Sequence, residues 1–218
     1  MATPEDLTIR NLNGNWIMNK GLTGVIEPIL KLQGISWLLR KAMAVATLHI
    51  NIMTYGTTEL ETGEPVTNID FNQSTAGKLA GTTEKRTLTW EPKEHKDYIF
   101  GEVQGRSQFV LGSVDKDGHI RPEFELQSDV DDAQEVKRFL RGETLLDSRE
   151  EAGFICEESN GVWVHTFERS VSSGWTAEQI WGFELIDNKR HFTRRVAVVN
   201  AGRRYLCVRL VFDYEQPK

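Results

Sequence analysis

The sequence predicts an all-β fold: a single antiparallel up-and-down β-barrel of about ten strands, with a helix-turn-helix cap after the first strand. Three observations predict it. From residue 46 onward, short alternating stretches recur between clusters of Gly, Asn, Asp and Ser, at the spacing of strands joined by hairpins. A helix-periodic apolar stretch at 24–44 interrupts that rhythm near the start. The chain has 218 residues and 39% hydrophobic content, enough for one sizeable barrel domain spanning 1–218.

In chain order, residues 8–20 read as the first strand, with Trp16 directed into the barrel base. Pro28 fits a first helical turn, where its missing N–H leaves nothing unsatisfied, and Gly34 ends that helical piece. Ile35, Leu38, Leu39, Ala42 and Met43 recur at i, i+3, i+4, i+7 and i+8, an amphipathic helix whose apolar stripe a cap turns toward the open end. Strands then follow at 46–55, 66–72, 84–90, 98–104, 106–113, 120–127, 154–158, 162–169, 177–186, 191–200 and 204–214. Residues 56–64 read as a polar turn and 72–83 as a Gly-, Ser- and Thr-rich loop. Asp115-Lys-Asp-Gly118 and Asn160-Gly161 are hairpin turns. Residues 128–150 read as an insertion with a short surface helix, because Val136, Phe139 and Leu140 fall at helical spacing behind a run of acids.

Composition narrows the function. The formal net charge is -6 and the sequence pI about 5.5, without the basic footprint of a nucleic-acid binder. Cys156 and Cys207 have no C-x-x-C spacing, so neither a zinc site nor a redox pair is expected, and they read as reduced thiols of a cytosolic protein. The first residues lack a secretory pattern and no apolar run approaches a membrane span, so the expected location is cytoplasmic. No G-x-S-x-G, H-E-x-x-H, P-loop or dinucleotide motif is present, so no metal and no cofactor is expected. Six Trp and ten Phe suit a core or the wall of a cavity for a hydrophobic small molecule. The pattern leaves a homo-oligomer open.

Candidate site residues come from shared strand faces. Trp163, His165 and Phe167 alternate, so they share a face. His165 between two aromatics reads as inward-pointing, either a general acid or base or a buried neutral histidine satisfied by a neighbour. Trp181 and Phe183 share a face of the next strand, as core or as pocket wall. Glu184, and Glu102 with Tyr98 and Phe100, read as lumen carboxylates and rings or as a solvated strand face; a carboxyl among aromatics would have a raised pKa. Residues 189–209 concentrate Arg and Lys. There Tyr205 and Arg209 share a face, and Arg209 reads either as an inward anion-binding fork or as a prop over Trp16. Arg195 is a candidate of the same kind.

Gly14-x-Trp16, followed by Leu32-Gln-Gly-Ile-Ser-Trp-Leu-Leu-Arg-Lys41 and a strand, resembles the opening of the intracellular fatty-acid-binding proteins, within the lipocalin-like (calycin) barrels. The likeness covers about a fifth of the chain and implies a helix-capped ten-stranded barrel over a ligand. Cys207-Val-Arg209 resembles the family's closing C-x-R-x-Y, but Val211 stands where the family has Tyr, which puts a simple fatty-acid clamp in doubt. The stretch from Asn19-Lys20-Gly-Leu22 to Lys41 is also similar to small lipocalin-like proteins of fungal secondary metabolism. That group includes cofactor-free cyclases, among them tropolone–sesquiterpene hetero-Diels–Alderases. Two functions follow from the resemblance. One is a cofactor-independent cyclase of Diels–Alder or hetero-Diels–Alder type, with or without prior dehydration to a quinone methide, acting on an apolar polyketide or terpenoid. The other is a carrier of fatty acids or similar molecules. For the cyclase the candidate catalytic residues are His165 or a buried carboxylate, Glu184, as proton donor and Arg209 as the group holding an oxygen.

Overall fold

Strands that alternate side chains between two faces can pair with their sequence neighbours and curl around one core. The computed structural model describes residues 3–59, 62–75, 81–145 and 153–216. It contains β1 (Gly14–Met18), α1 (Glu27–Leu32), α2 (Trp37–Val45), β2 (Leu48–Thr58), β3 (Pro65–Thr75), β4 (Thr82–Thr87), β5 (Lys93–Asp97), β6 (Gly101–Val114), β7 (Ile120–Pro122), α3 (Ala133–Leu140), β8 (Val162–Ser170), β9 (Thr176–Ile186), β10 (Lys189–Val199) and β11 (Tyr205–Glu215). All pairings are antiparallel, in the order β4-β3-β2-β1-β11-β10-β9-β8-β6-β5, with β7 beside the end of β6. This is the expected up-and-down barrel, with the first and last strands side by side. No ladder joins β4 to β5 among the described residues. Instead, Arg86 of β4 reaches across to Ser107 of β6 at 3.1 Å, and the Trp90 N–H donates to the Ser107 carbonyl at 2.8 Å.

The base of the barrel is solid. Trp16, Phe183, Phe192 and Tyr214 pack ring against ring, and the Trp16 indole N–H donates to the Leu12 carbonyl. Leu7, Ile9 and Leu12 plug the end from below. At the other end α1 and α2 lie across the opening. Pro28 occupies the first turn of α1, Gly34 ends it at φ +82°, and Ser36 caps α2.

Several expectations are corrected. The first strand is shorter than 8–20, because residues 8–11 form a tight bridged turn before β1. Residues 98–104 and 106–113 are not two strands but parts of β6: Gly105 pairs with both Lys93 and Glu168 and stays in the ladder. Its partner β5 has the sequence Lys-Glu-His-Lys-Asp, an edge strand with no apolar alternation to reveal it. Stretch 120–127 is regular only over β7, and 154–158 only through the single bridge Phe154 to Glu184. The apolar stripe is only partly covered: Ile35 is buried and Leu39, Ala42 and Met43 are half-buried, but Leu38 stays exposed, and Met43 alone of the stripe lines the space beneath. The end of the 128–150 insertion, 146–150, and part of the 72–83 loop, 76–80, lie outside the described residues. So do residues 60–61 of the 56–64 turn.

Residues 120–145 and 153–161 lie against the outside of β8–β11, where Val136, Phe139 and Leu140 of α3 build a second core with Phe124, Phe154, Trp163 and Ile180. One face of these four strands therefore meets the lumen and the other meets this covering layer. Both faces are dry. Among the described residues, no helix is long and apolar enough to cross a membrane.

Candidate functional site

On β10 the alternation places Phe192, Arg194, Val196 and Val198 toward the lumen, and Thr193, Arg195 and Ala197 toward the covering layer. The same parity on β9 turns Ala177, Gln179, Trp181 and Phe183 inward. On β8 it turns Val164, Thr166 and Glu168 inward.

Between the aromatic base and the helical cap lies a cavity of about 430 Å³, in the range of small-molecule sites. Its walls are mostly apolar, with Ile29, Leu30, Phe100, Trp175, Val196 and Val208 prominent. One side is different: Glu84 of β4, Glu168 of β8, Gln179 of β9 and Arg194 of β10 all line the cavity there, with His95 of β5 at its margin. Arg86 sits just behind, forming ion pairs with both Glu84 and Glu168. The two carboxyl groups share a hydrogen bond. His95 Nε2 is 3.7 Å from Glu84 Oε1.

This cluster sorts its protons by environment. Burial pushes the Glu84 carboxyl up, and the negative Glu168 adds to that against the pull of Arg86, so it titrates at about 7. Glu168 is half-buried and loses solvent as well, but Arg86 holds it below the usual carboxylate range. Glu84 is thus the proton donor in the shared hydrogen bond. Burial and the charge of Arg86 bring Arg194 down to about 10, which leaves it a cation at neutral pH. Arg194 forms no ion pair among the described residues. Its Nε and Nη2 donate to Gln179 Oε1 at 3.0 and 2.6 Å, and its guanidinium lies 4.4 Å from the Trp181 ring centroid and 5.0 Å from that of Phe71. Two further buried atoms of this region, Arg86 Nε and Thr166 Oγ1, have no hydrogen-bond partner among the described residues. The arrangement can give and take a proton near neutrality and can hold a developing negative oxygen.

The sequence-predicted residues divide differently from expectation. Trp181 and Phe183 face inward, in the floor beneath the cavity, and Phe100 lines the mouth against Trp175. Trp163, His165 and Phe167 do not point inward. They lie on the outer face, where Trp163 packs on Phe154 and His165 meets Glu178 at 2.9 Å between the rings of Trp90 and Phe124. Arg209 neither enters the lumen nor props Trp16: its Nη1 donates to Glu184 Oε2 at 3.0 Å on the outer face. Glu184 is buried there between Arg209 and Arg195, and these cations hold its carboxyl low despite burial. Arg195 is fully buried in the covering layer, and Tyr205 donates its hydroxyl to Glu135. Tyr98 and Glu102 are exposed. The structure therefore gathers Arg195, Glu184 and Arg209 into one cluster, outside the cavity. Cys156 and Cys207 are free thiols.

The residues that sequence reasoning missed are Glu84, Arg86, Glu168, Gln179 and Arg194. Their signal was parity. On the strand expected at 162–169 the bulky Trp163, His165 and Phe167 face outward, so the inward set lies one position out of step with the expectation.

No family model matches the chain. Two proteins match it along nearly their whole lengths. A chain named pericyclase pydY, from an Acremonium species, is 27% identical over 219 residues, covering 100% of this chain and 99% of its own. A probable pericyclase scpY from Mollisia scopiformis is 25% identical over 217 residues, covering 100% and 96%. Among solved structures, a Schistosoma mansoni fatty acid binding protein in complex with arachidonic acid superposes with a TM-score of 0.49 at 8% identity, covering 96% of this chain and 100% of that one. The REP1-NXSQ fatty acid transporter does so with a TM-score of 0.46 at 10% identity, covering 95% and 98%. The chain is an antiparallel β-barrel that resembles, along its whole length, two chains named as pericyclases.

Proposed function

We propose that the lumen is a reaction chamber for a pericyclase-type ring closure of an apolar polyketide or terpenoid, of Diels–Alder or hetero-Diels–Alder type and without a cofactor. The observation that carries this reading is the cavity of about 430 Å³ whose apolar wall meets Arg194, Glu84 and Glu168 along one side. A closure of two π-systems needs them held face to face, and enclosure alone lowers such a barrier by removing orientational freedom. A cationic fork on a carbonyl oxygen then draws electron density from the reacting π-system as the transition state forms. Arg194 suits that task because its side chain is held by a neutral amide, Gln179, and makes no direct ion pair among the described residues, although Glu84 and Glu168 lie close enough to act on its charge. For a precursor that first loses water to a quinone methide, protonated Glu84 is the donor to the departing hydroxyl. The whole-length likeness to two chains named as pericyclases supports the same reading.

The test is product stereochemistry. Purified protein is incubated with a quinone-methide precursor and a terpene and compared with a protein-free blank. A biased product mixture is expected from the wild type, with the bias reduced in Arg194→Gln. Identical mixtures with and without protein overturn the reading. Tight binding of a fluorescent fatty acid together with an unchanged mixture replaces it with the carrier.

A further inference from the structure

We propose that the polar side of the cavity has a second activity, the reversible enolisation of a carbonyl compound, with Glu84 as the proton-transferring base and Arg194 holding the enolate oxygen. The proposal deepens the ring-closure reading and rests on it in one respect: both take the lumen as the place where substrate sits.

Arg86 and Arg194 are two cations, Glu168 is one anion, and Glu84 is the group whose proton is mobile. With Glu84 protonated the cluster has two positive charges against one negative, in a cavity with mostly apolar walls. Such a site favours a ligand that brings or develops a negative oxygen. Arg86 is committed to the two carboxyl groups, whereas Arg194 makes no ion pair among the described residues and lines the cavity.

The chemistry balances without any added reagent. Ionised Glu84 takes the proton from the carbon beside the carbonyl. The C–H bond breaks, an O–H bond forms on Glu84, and the electron pair moves through the new C=C onto the carbonyl oxygen, where Arg194 donates to it. Glu84 then returns the proton to the same carbon or, in an unsaturated ketone, to the γ carbon. The substrate class is an apolar ketone or enone with an enolisable position. Its dienolate is the electron-rich four-carbon component that a ring closure consumes, so the two activities form one sequence.

The groups facing Glu84 set when it can act. They are Arg86 on its own strand, Glu168 from β8, His95 from β5 and Arg194 from β10. Burial dominates and brings Glu84 to about 7. A base with its pKa near working pH is ionised for a useful fraction of the time and still strong enough to take a proton.

The test uses a bicyclic β,γ-unsaturated ketone in D₂O, followed by the rise of conjugated-enone absorbance and by deuterium incorporation. A naphthol serves as a mimic of the enolate, and its absorption spectrum reports whether it binds ionised. Wild-type protein is expected to isomerise the ketone above the buffer rate, increasingly as pH rises through about 7, and to bind naphthol as the anion. Glu84→Gln is expected to lose about 100-fold or more in isomerisation while still unfolding in one cooperative transition and still binding the naphthol. Arg194→Gln is expected to shift bound naphthol to the neutral form. Isomerisation no faster than buffer, or unchanged in Glu84→Gln, overturns the proposal. Ring closure is read separately with a preformed diene. Closure without isomerisation sinks the enolisation alone; isomerisation without closure sinks the ring-closure reading alone.

Discussion

Arg194 and Arg195 are adjacent on β10 and face opposite sides of the barrel wall. Arg194 lies beside the cavity over Trp181 and Phe71. Arg195 is fully buried on the far side, where its Nε and Nη2 grip Glu184 at 2.8 and 3.1 Å and its Nη1 donates to the carbonyls of Phe139 and Thr144. One arginine is available to a ligand and the other ties the covering layer to the barrel.

The two arginines should therefore fail in different assays. Arg195→Met leaves Glu184 buried with Arg209 as its remaining cation beside the Thr193 hydroxyl, and strips two carbonyls of a donor, a change that typically costs about 3–5 kcal/mol. Arg194→Met removes a cation held by one neutral amide and by two ring faces that a methionine still covers, and should cost less, about 1 kcal/mol. Urea unfolding separates them in stability, and naphthol binding separates them in ligand handling. Loss of binding in Arg195→Met at full folded population would overturn the division.

Glu84 gives stability a particular pH dependence. Its carboxyl titrates at about 7 in the folded chain against an ordinary value of 4.5. The folded state therefore keeps a proton that the unfolded state releases, and this contribution, complete below about 4.5, is lost as pH rises to about 7. Glu168 works in the opposite direction and lower down: held below its usual range, it adds stability as pH rises toward 4.5. Glu84→Gln should remove the decline between 4.5 and 7, so the difference in melting temperature between wild type and variant should change across that window. A difference independent of pH would show that Glu84 is not held protonated.

The barrel was legible in the sequence because its strands are hairpin-linked neighbours, and a turn such as Asp115-Lys-Asp-Gly118 leaves its mark in a few residues. The helical cap was legible from Pro28 and Gly34. The cavity side was not. A strand with one wet face shows which residues go in, but β8–β11 are dry on both faces, so Trp163 and His165 outside are as buried as Val164 and Thr166 inside. Bulk then misleads, since the covering layer takes the large aromatics. Glu84 and Glu168 belong to strands far apart in sequence, and no local spacing announces that they meet.

The cavity can be filled without harming the fold. Val196 lines it directly above the level of Arg194. Enlarging a side chain in a packed core costs about 1–3 kcal/mol, but at this position the added atoms of Val196→Trp enter open space. Melting temperature should stay within a few degrees of wild type, while naphthol affinity falls at least about tenfold, roughly 1.4 kcal/mol. Undiminished binding would mean that the ligand site lies elsewhere.

His165 should prove structural. Its Nε2 faces Glu178 Oε1 at 2.9 Å, and Glu178 also accepts from the Gln127 and Ser128 backbone N–H groups and from the Ser128 hydroxyl, at 3.0, 2.8 and 2.8 Å. With the imidazole between Trp90 and Phe124, this knot fastens the segment after β7 to the outside of β9. Glu178→Ala leaves those donors buried without an acceptor, each such loss typically costing about 1–3 kcal/mol, and should be the more damaging change. His165→Phe keeps the ring stacking, loses one hydrogen bond and should cost less. Neither residue touches the cavity, so stereochemical bias per folded molecule should be unchanged in both variants. A His165→Phe protein with wild-type unfolding free energy but no product bias would instead return this histidine to the chemistry.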